Sequence, residues 1–326
     1  MPKRRCLPVT ARSLEPKTTA RVPLPPIHLD RHEKVILHPK PLPLVAKLGK
    51  SSTETRRRIN RFHALIKEYS KLAKLPTSPT VVENIDRVER EMAQMGGLDW
   101  YQKASLLGQC KARGGDTSRW LVPKLRDLGL HNRSSSSSKL RLLDVGALSC
   151  LNYAKERAWI DVVPIDLNSQ DPRRIYQQDF LDIGKTPNAP AQDTDSDDDN
   201  DDNISHLFNT PFDVVCLSLV VNFVGDPVTR GDMLRQATRL LNPSGLLFLV
   251  LPLSCLTNSR YFDDDRLLAI AQHLGFEQLA MHHTAKLAHY IYRLARPATE
   301  CLDDEGLFKK KLLHSAPGRN NFSIVI

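Results

Sequence analysis

Acidic residues stand where apolar segments end in the middle of the chain. Asp144 and Gly146 close the run LRLLDVG, Asp166 closes VVPID, and Asp179 follows IYQQ. If these runs are parallel strands of one open sheet, their carboxyl ends meet at one edge, where such sheets bind ligands. Acids at that edge predict a site for a ligand that carries hydroxyl groups and a positive charge.

Each of these residues has a predicted part in that site. Asp166 would accept the two hydroxyls of a ribose, and Asp144 would bind nearby backbone and an ammonium group. Asp179 would receive the amino group of an adenine, with Phe180 near the ring. Gly146 would let the ligand approach the backbone, where any side chain would block it. The alternative is that each acid only caps the end of its strand.

The segment after Gly146 narrows the choice of cofactor. It reads GALSCL and lacks the GxGxxG pattern that seats the pyrophosphate of a dinucleotide. The chain also has no lysine motif of the kind that binds a triphosphate. An adenosine cofactor without phosphates relaxes the demand for glycine. The residues therefore predict S-adenosyl-L-methionine as the cofactor.

Alternating strands and helices predict the architecture that positions this site. Long apolar runs such as FDVVCLSLVV are typical of strands buried on both faces of a parallel sheet. The last two strands have no helix between them and should form an antiparallel hairpin. The prediction is a Rossmann-like α/β fold, with the seven-stranded sheet of class I methyltransferases. Strands are predicted at 140–146, 161–167, 175–180, 212–221, 245–252, 276–283 and 288–296, and helices at 149–158, 228–241 and 263–274.

A helical section at 51–133 should precede the sheet. Apolar residues at steps of three and four predict its helices. Ser52 and Thr53 can cap the first, and Ser78-Pro79 has the capping residue and proline that open the second. Two further helices are predicted at Trp100–Gln109 and Ser118–Leu128. The remaining divisions are a basic arm at 1–50, a serine linker at 134–138, the cofactor-binding domain at 139–300 and a tail at 301–326.

Charge is unevenly distributed along the chain. Residues 1–61 hold 15 Lys/Arg and 4 Asp/Glu, while the whole chain carries a net charge of +9. Together with nine prolines in residues 1–50, this predicts a disordered arm for a polyanionic partner or for targeting. The loop 186–206 contains seven Asp within 193–202 but lacks the glycine and glutamate of an EF-hand.

The cysteine spacing and the length of the apolar stretches argue against disulfide-rich, zinc-binding and membrane-spanning proteins. The six cysteines are scattered singly, which argues against a disulfide framework or a zinc site. No apolar stretch approaches the roughly 20 residues of a membrane helix. We therefore expect no metal and no membrane association.

Several long strings resemble one family. They are YQKASLLGQ (101–109), RGGDTSRWLV (113–122), LLDVGALS (142–149), PIDLNS (164–169), IYQQDFLD (175–182), SLVVNFVGDPVTRGDML (218–234) and LPLSCLTNSRY (251–261). The chain is similar in these strings to the fungal methyltransferases that modify N1 of an adenine in large-subunit (25S) ribosomal RNA. The resemblance implies that Gly146 and Asp166 contact the cofactor. It also implies a ribosomal RNA or pre-ribosomal substrate and a place in the nucleus and nucleolus.

The end of the fourth strand should face the target base. Ser218, Asn222 and Phe223 are the candidates, with Asn222 bonding the adenine edge and Phe223 stacking on the ring. Asn222 as a turn residue and Phe223 as a core residue are the alternatives. RNA contacts are predicted for Asn258, Arg260 and Tyr261. Arg113 and Arg119 are candidates for phosphate contacts, with a plain surface role as the alternative for each, and His282 and His283 are expected to be structural.

Methylation of adenine N1 requires no proton transfer to or from the attacking nitrogen. N1 of neutral adenine carries a lone pair, so direct attack on the cofactor methyl needs alignment and exclusion of water rather than a general base. N1 lies on the Watson–Crick edge, so the base must be unpaired or flipped out. A monomer is expected. Two other functions stay open: a cofactor sensor that acts through a protein partner, and methylation of a protein or small molecule.

Overall fold

A computed structural model describes residues 52–108, 116–135, 139–185, 204–296 and 308–326. The predicted basic arm, residues 136–138 of the serine linker and residues 186–203 of the acidic loop lie outside the described residues. Residues 204–206 of that predicted loop instead lie in a 3₁₀ turn, Ile204–Phe208. No described helix has the length and apolar character needed to cross a membrane.

The predicted seven-stranded sheet is confirmed, with the order β3-β2-β1-β4-β5-β7-β6. Strands β1 to β5 run parallel to their neighbours, β7 is antiparallel to β5, and β6 pairs antiparallel with β7 at the edge. The strands are β1 (Leu140–Val145), β2 (Ile160–Asp166), β3 (Tyr176–Gln177), β4 (Phe212–Ser218), β5 (Leu241–Pro252), β6 (Phe276–His283) and β7 (Leu287–Leu294).

The apolar strands are buried on both faces, as their composition predicts. Successive residues alternate between two cores. Leu247 and Leu249 join one, and Leu246 and Phe248 join the other. Helices α5 (Pro227–Leu240) and α7 (Asp264–His273), with the short α6 (Ser254–Thr257) before α7, cover the first face. Helix α4 (Ser118–Asp127) covers the second.

Three sequence predictions are wrong. The strand predicted at 175–180 is only Tyr176–Gln177, because Asp179 caps a 3₁₀ turn, Phe180–Asp182, directly after it. Residues 149–158 contain turns and a single 3₁₀ turn, Ala154–Glu156, instead of a helix. Leu121 and Leu125 of α4 already pack over this part of the sheet beside Tyr153, so no crossover helix is needed there. Strand β4 ends at Ser218 rather than at residue 221, because Leu219 has a φ of +61° that turns the chain.

Three helices form the section before the sheet: α1 (Ser52–Leu72), α2 (Pro79–Gln94) and α3 (Gly97–Gly108). The predicted cap of α2 is confirmed, since the Ser78 side chain accepts from the Val81 amide at 3.3 Å and Pro79 starts the helix. The helices share a small core that includes Phe62, Leu65 and Val88.

The C-terminal segment 308–326 packs on the sheet domain. Phe322 and Ile324 belong to the core that α5 and α7 cover. The guanidinium of Arg230, which is only 2% exposed, donates to the carbonyl of Ser323 at 2.6 Å. The Ser259 hydroxyl donates to the carbonyl of Phe322 at 2.6 Å. This part of the predicted tail is therefore an integral layer of the fold.

Gly231 of α5 tests this docking. A Cβ at this position would lie 1.9 Å from the carbonyl oxygen of Val325. Replacing glycine by alanine within a helix ordinarily stabilises a protein by about 1 kcal/mol. Here we expect Gly231→Ala to lower the free energy of unfolding by about 2 kcal/mol, because the C-terminal backbone must move. Urea denaturation measures this change.

Arg239→Ala on the same helix is the matched control, since Arg239 is exposed and should tolerate the change within about 0.5 kcal/mol. A Gly231→Ala variant as stable as the wild type would show that the segment does not constrain α5.

Candidate functional site

The carboxyl ends of the central strands bring the predicted site residues to one edge. The strand register places Val145 beside both Ile165 of β2 and Leu217 of β4. The next residues along the chain are Gly146, directly after β1, and Asp166 and Ser218, the last residues of β2 and β4. The structure therefore brings together the predicted cofactor and base sides.

Gly146 meets two separate demands on glycine. Its φ is +71°, a backbone conformation that side chains disfavour. A Cβ there would also lie 2.7 Å from Cγ2 of Val220, in the segment after β4. The turn after β1 therefore requires glycine at this position, because it packs closely against the segment after β4.

The Asp166 carboxylate is held on one oxygen. Its Oδ1 accepts from the backbone amide of Asn168 at 2.8 Å and from Nε2 of Gln102 at 2.9 Å. Its Oδ2 has no hydrogen-bond partner among the described residues. Burial raises the pKa of Asp166, and the two hydrogen bonds oppose that shift. The remaining oxygen fits the ribose hydroxyls that the sequence predicts.

Gln102 is the residue of this site to which sequence reasoning assigned no role. It lies on α3, is only 4% exposed, and also donates from Nε2 to the carbonyl of Asn168 at 2.8 Å. Asn168 Nδ2 in turn donates to Gln102 Oε1 at 3.2 Å. The string YQKASLLGQ contained it, but the string does not indicate a contact with a strand more than 60 residues away.

Asp144 is a buried carboxyl group that lacks a donor. It is 7% exposed, and no hydrogen-bond donor of the described residues pairs with its carboxylate. Burial, with repulsion from Asp116, raises its pKa from 3.8 to about 7. An unpaired carboxylate at this edge fits the predicted role of binding an ammonium group.

The observed contacts of Asp179 and Phe180 agree less well with their predicted roles in binding adenine. Asp179 Oδ1 accepts from the Leu181 amide at 2.8 Å and so caps a 3₁₀ turn. The Phe180 side chain turns into the main core and is only 4% exposed. The contact of Asp179 with an adenine amino group stays a prediction, and the structure places Phe180 in the core rather than at the open edge.

The segment after β4 carries the predicted base-facing residues. The Ser218 hydroxyl lies 2.8 Å from the Thr117 hydroxyl. Asn222 Oδ1 is buried and has no hydrogen-bond partner within the described part of the chain. Leu219 holds a left-handed backbone conformation, which costs about 1–3 kcal/mol and is common at functional sites. An unpaired buried acceptor is costly, so Asn222 fits a site completed by a donor of the substrate.

Phe223 packs in an aromatic group with α1 and α3. Its ring centroid lies 4.9 Å from that of Tyr101 and 5.4 Å from that of His63. Burial, with repulsion from Lys67, lowers the pKa of His63 to about 4, so its ring is neutral at pH 7. Stacking of Phe223 on a base stays a prediction. Its ring also packs against the core of the helical section, as the alternative of a core residue expects.

The predicted RNA contacts lie on two surfaces. Arg260 Nη1 donates to Asn321 Oδ1 at 3.0 Å, and the Tyr261 ring lies 4.1 Å below the Lys310 ammonium. Asn258 Nδ2 lies 3.5 Å from the carbonyl of Gly318. Arg119 is exposed on α4, while Arg113 lies outside the described residues.

The histidines of the edge hairpin have internal partners, as expected of structural residues. His283 Nε2 lies 3.1 Å from both Asp264 and the Tyr290 hydroxyl. His282 lies against Trp120, with 6.2 Å between ring centroids. Across the described ranges, no group of His, Cys, Asp and Glu could hold a metal ion.

Comparison with known proteins adds to this geometry. Residues 86–196 and 203–324 match the family model described as "25S rRNA (adenine(2142)-N(1))-methyltransferase, Bmt2". The chain is 32% identical over 298 residues to the 25S rRNA adenine-N(1) methyltransferase of Schizosaccharomyces pombe, covering 87% of this chain and 98% of that protein. It is 31% identical over 268 residues to the 25S rRNA (adenine(2142)-N(1))-methyltransferase of Saccharomyces cerevisiae, covering 82% and 71% respectively.

Solved structures are more distant. An S-adenosylmethionine-dependent methyltransferase from Clostridium acetobutylicum is 10% identical with a TM-score of 0.41, over 60% of this chain and 99% of that one. The N-methyltransferase NodS of Bradyrhizobium japonicum, in complex with S-adenosyl-L-homocysteine, is 12% identical with a TM-score of 0.32, over 52% and 86%. These scores are too low to support a functional inference.

Gln102→Met tests the contact with Asp166. Methionine keeps the length of the side chain but removes the donor to the carboxylate. A hydrogen bond to a charged group contributes about 1.5–3 kcal/mol, so we expect the Kd for S-adenosylmethionine to rise about tenfold or more. Calorimetric titration measures it. Lys103→Met, at an exposed position on the same helix, is the control and should bind normally; equal Kd values for both variants would contradict the assignment.

Asp144→Asn tests the buried carboxyl group through stability. Because its folded-state pKa is raised from 3.8 to about 7, the ionised carboxylate destabilises the folded state, and stability falls as the pH rises through this window. We expect the melting temperature of the Asn variant to match the wild type near pH 4 and to exceed it at pH 8. Thermal unfolding without ligand measures this, and a difference independent of pH would contradict it.

Proposed function

Because this chain belongs to the family of 25S rRNA adenine-N1 methyltransferases, we propose that it transfers the methyl group of S-adenosyl-L-methionine to N1 of an adenine in large-subunit ribosomal RNA. Similarity over 87% and 82% of this chain to two fungal proteins of that name supports the reaction class. The geometric observation that carries the proposal is a pair of sites on one sheet edge. Asp166 offers a carboxylate oxygen on one side, and Asn222 offers a buried, unpaired acceptor on the other.

The residues at the cofactor side fit S-adenosylmethionine. When bound, this cofactor supplies an electrophilic methyl group on a sulfonium. Asp166 Oδ2 would accept from the ribose hydroxyls while Gln102 and Asn168 hold Oδ1. Asp144 would be ionised by the approach of the ammonium group. Gly146 would leave the backbone open to the ligand between them.

The base side fits the Watson–Crick edge of adenine. That edge offers a donor at N6 and a lone pair at N1. Asn222 Oδ1 would accept from the N6 amino group, which aims N1 at the methyl group. Attack of N1 on the methyl group would form the N1–carbon bond, and the electron pair of the sulfur–carbon bond would stay on sulfur. No proton leaves N1 in this step, so no general base is required.

The adenine acquires a positive charge in that step. The N6 amino group then becomes a stronger donor, so its bond to Asn222 Oδ1 strengthens in the transition state. Neutral His63 adds no opposing charge beside Phe223. These features favour a product in which the base is cationic.

We further propose that the chain acts in the nucleus, in the nucleolus, and as a monomer. The basic clusters KRR at 3–5 and RRR at 56–58 support nuclear entry, and the ribosomal RNA substrate supports the nucleolus. Imaging of the tagged full chain and its sedimentation in solution test these two points. The comparisons give no support to the alternative of a cofactor sensor.

The reaction is tested with the purified chain, S-adenosylmethionine carrying a labelled methyl group, and 25S rRNA from cells that lack the protein. We expect label at one adenine, where the blocked Watson–Crick edge also stops primer extension. Asp166→Ala and Gly146→Arg should remove both cofactor binding and transfer. Cofactor binding without transfer to RNA would favour the sensor, and full activity of both variants would overturn the site.

A further inference from the structure

Three lysines beside the base-facing segment form no salt bridge with any described acidic residue. Lys67 and Lys71 lie one turn apart on α1 and therefore on the same face, and both are exposed. Lys310, on the C-terminal segment, is also exposed and lies over the Tyr261 ring at 4.1 Å. None of the three has a carboxylate within salt-bridge distance in the described part of the chain.

Neighbouring cations of the helical section are paired instead. Arg61 lies 2.5 Å from Glu91, and Lys74 lies 2.8 Å from Asp226. Arg87 contacts Glu68. Lys67, Lys71 and Lys310 therefore differ from these neighbouring cations in having no salt-bridge partner among the described residues.

A close backbone contact places Lys67 next to the base-facing segment. A Cβ at Gly225 would lie 3.2 Å from Cα of Lys67, so α1 packs directly on this loop. Arg230 holds the same loop from beneath, since its Nε donates to the Val224 carbonyl at 2.9 Å. Asn222 and Phe223 immediately precede these residues.

The cations are close enough to repel one another. Partial burial lowers the pKa of Lys67, and Arg230 and Lys71 lower it further. Partial burial likewise lowers the pKa of Lys310, with contributions from Lys71 and Arg230. Lys67 packs on the loop at Gly225, Lys71 lies one turn further along α1, and Arg230 donates to the same loop at Val224. We call these three residues, with Lys310, which Lys71 and Arg230 influence electrostatically, the cationic cluster. Such repulsion costs folding free energy unless an anion relieves it.

We propose that the cationic cluster binds the phosphodiester backbone of RNA adjacent to the target adenine. This inference rests on the proposed function and adds where the substrate chain runs. Lys67, Lys71 and Lys310 would contact phosphates, and the buried Arg230 would contribute to the positive electrostatic potential of this surface. The neighbouring Tyr261 ring and the adenine-facing Asn222 favour RNA over an acidic protein, because they offer an aromatic face and a base acceptor beside the charges.

The test is a triple variant, Lys67→Gln, Lys71→Gln and Lys310→Gln, assayed with unmodified 25S rRNA. Each phosphate contact with single-stranded nucleic acid contributes about 0.7 to the slope of log K against log salt. We expect the slope to fall by about 2 and the KM for RNA to rise about tenfold or more near physiological salt. The Kd for S-adenosylmethionine and kcat at saturating RNA should stay unchanged.

A second triple variant removes the same charge elsewhere: Lys124→Gln, Lys185→Gln and Arg293→Gln. These cations pair with Asp127, Asp182 and Glu277. We expect this control to keep nearly the wild-type slope. If the salt slope decreases equally in both variants, the effect comes from net charge and the inference is wrong. If it does not decrease in the cluster variant, the inference is also wrong, and a protein partner becomes the alternative for this surface. The wild-type chain, methylating RNA in the same assay, separates either result from failure of the proposed function.

Discussion

The hydrogen bonds of Gln102 join the helical section to the edge of the sheet where the strands end. One side-chain amide donates to Asp166 and to the Asn168 carbonyl and accepts from the Asn168 side chain. A buried amide satisfied in this way fixes both partners, because any shift would leave a polar group unpaired. The position of α3, the orientation of the Asp166 carboxylate and the shape of the edge all depend on this contact.

A second set of polar contacts supports the base side from behind. Arg230 is buried, yet burial lowers its pKa only to about 10, so it remains charged at neutral pH. It donates to the carbonyls of Val224 and Ser323, and its guanidinium lies 4.4 Å over the Phe322 ring. The loop after β4 and the C-terminal segment are thereby held by one side chain. The segment predicted to be a tail is part of the support for the site.

The sequence predicts the sheet well because burial on both faces leaves long apolar runs. It fails where one local conformation decides the outcome. The run that forms β4 stays apolar to residue 221, but the left-handed backbone of Leu219 ends the strand earlier. Gly146 and Asp166 could be found because strand ends mark them. Gln102 could not, since its role depends on a contact between distant segments.

Tyr101 and Gln102 are neighbours in sequence on α3, and each faces a different half of the site. Tyr101 packs on Phe223, while Gln102 holds Asp166. A helix is stiff over one peptide unit, so displacement at one contact is transmitted to the other. The two predicted halves of the site are therefore coupled through adjacent residues of α3, so a substitution that moves one contact is expected to move the other.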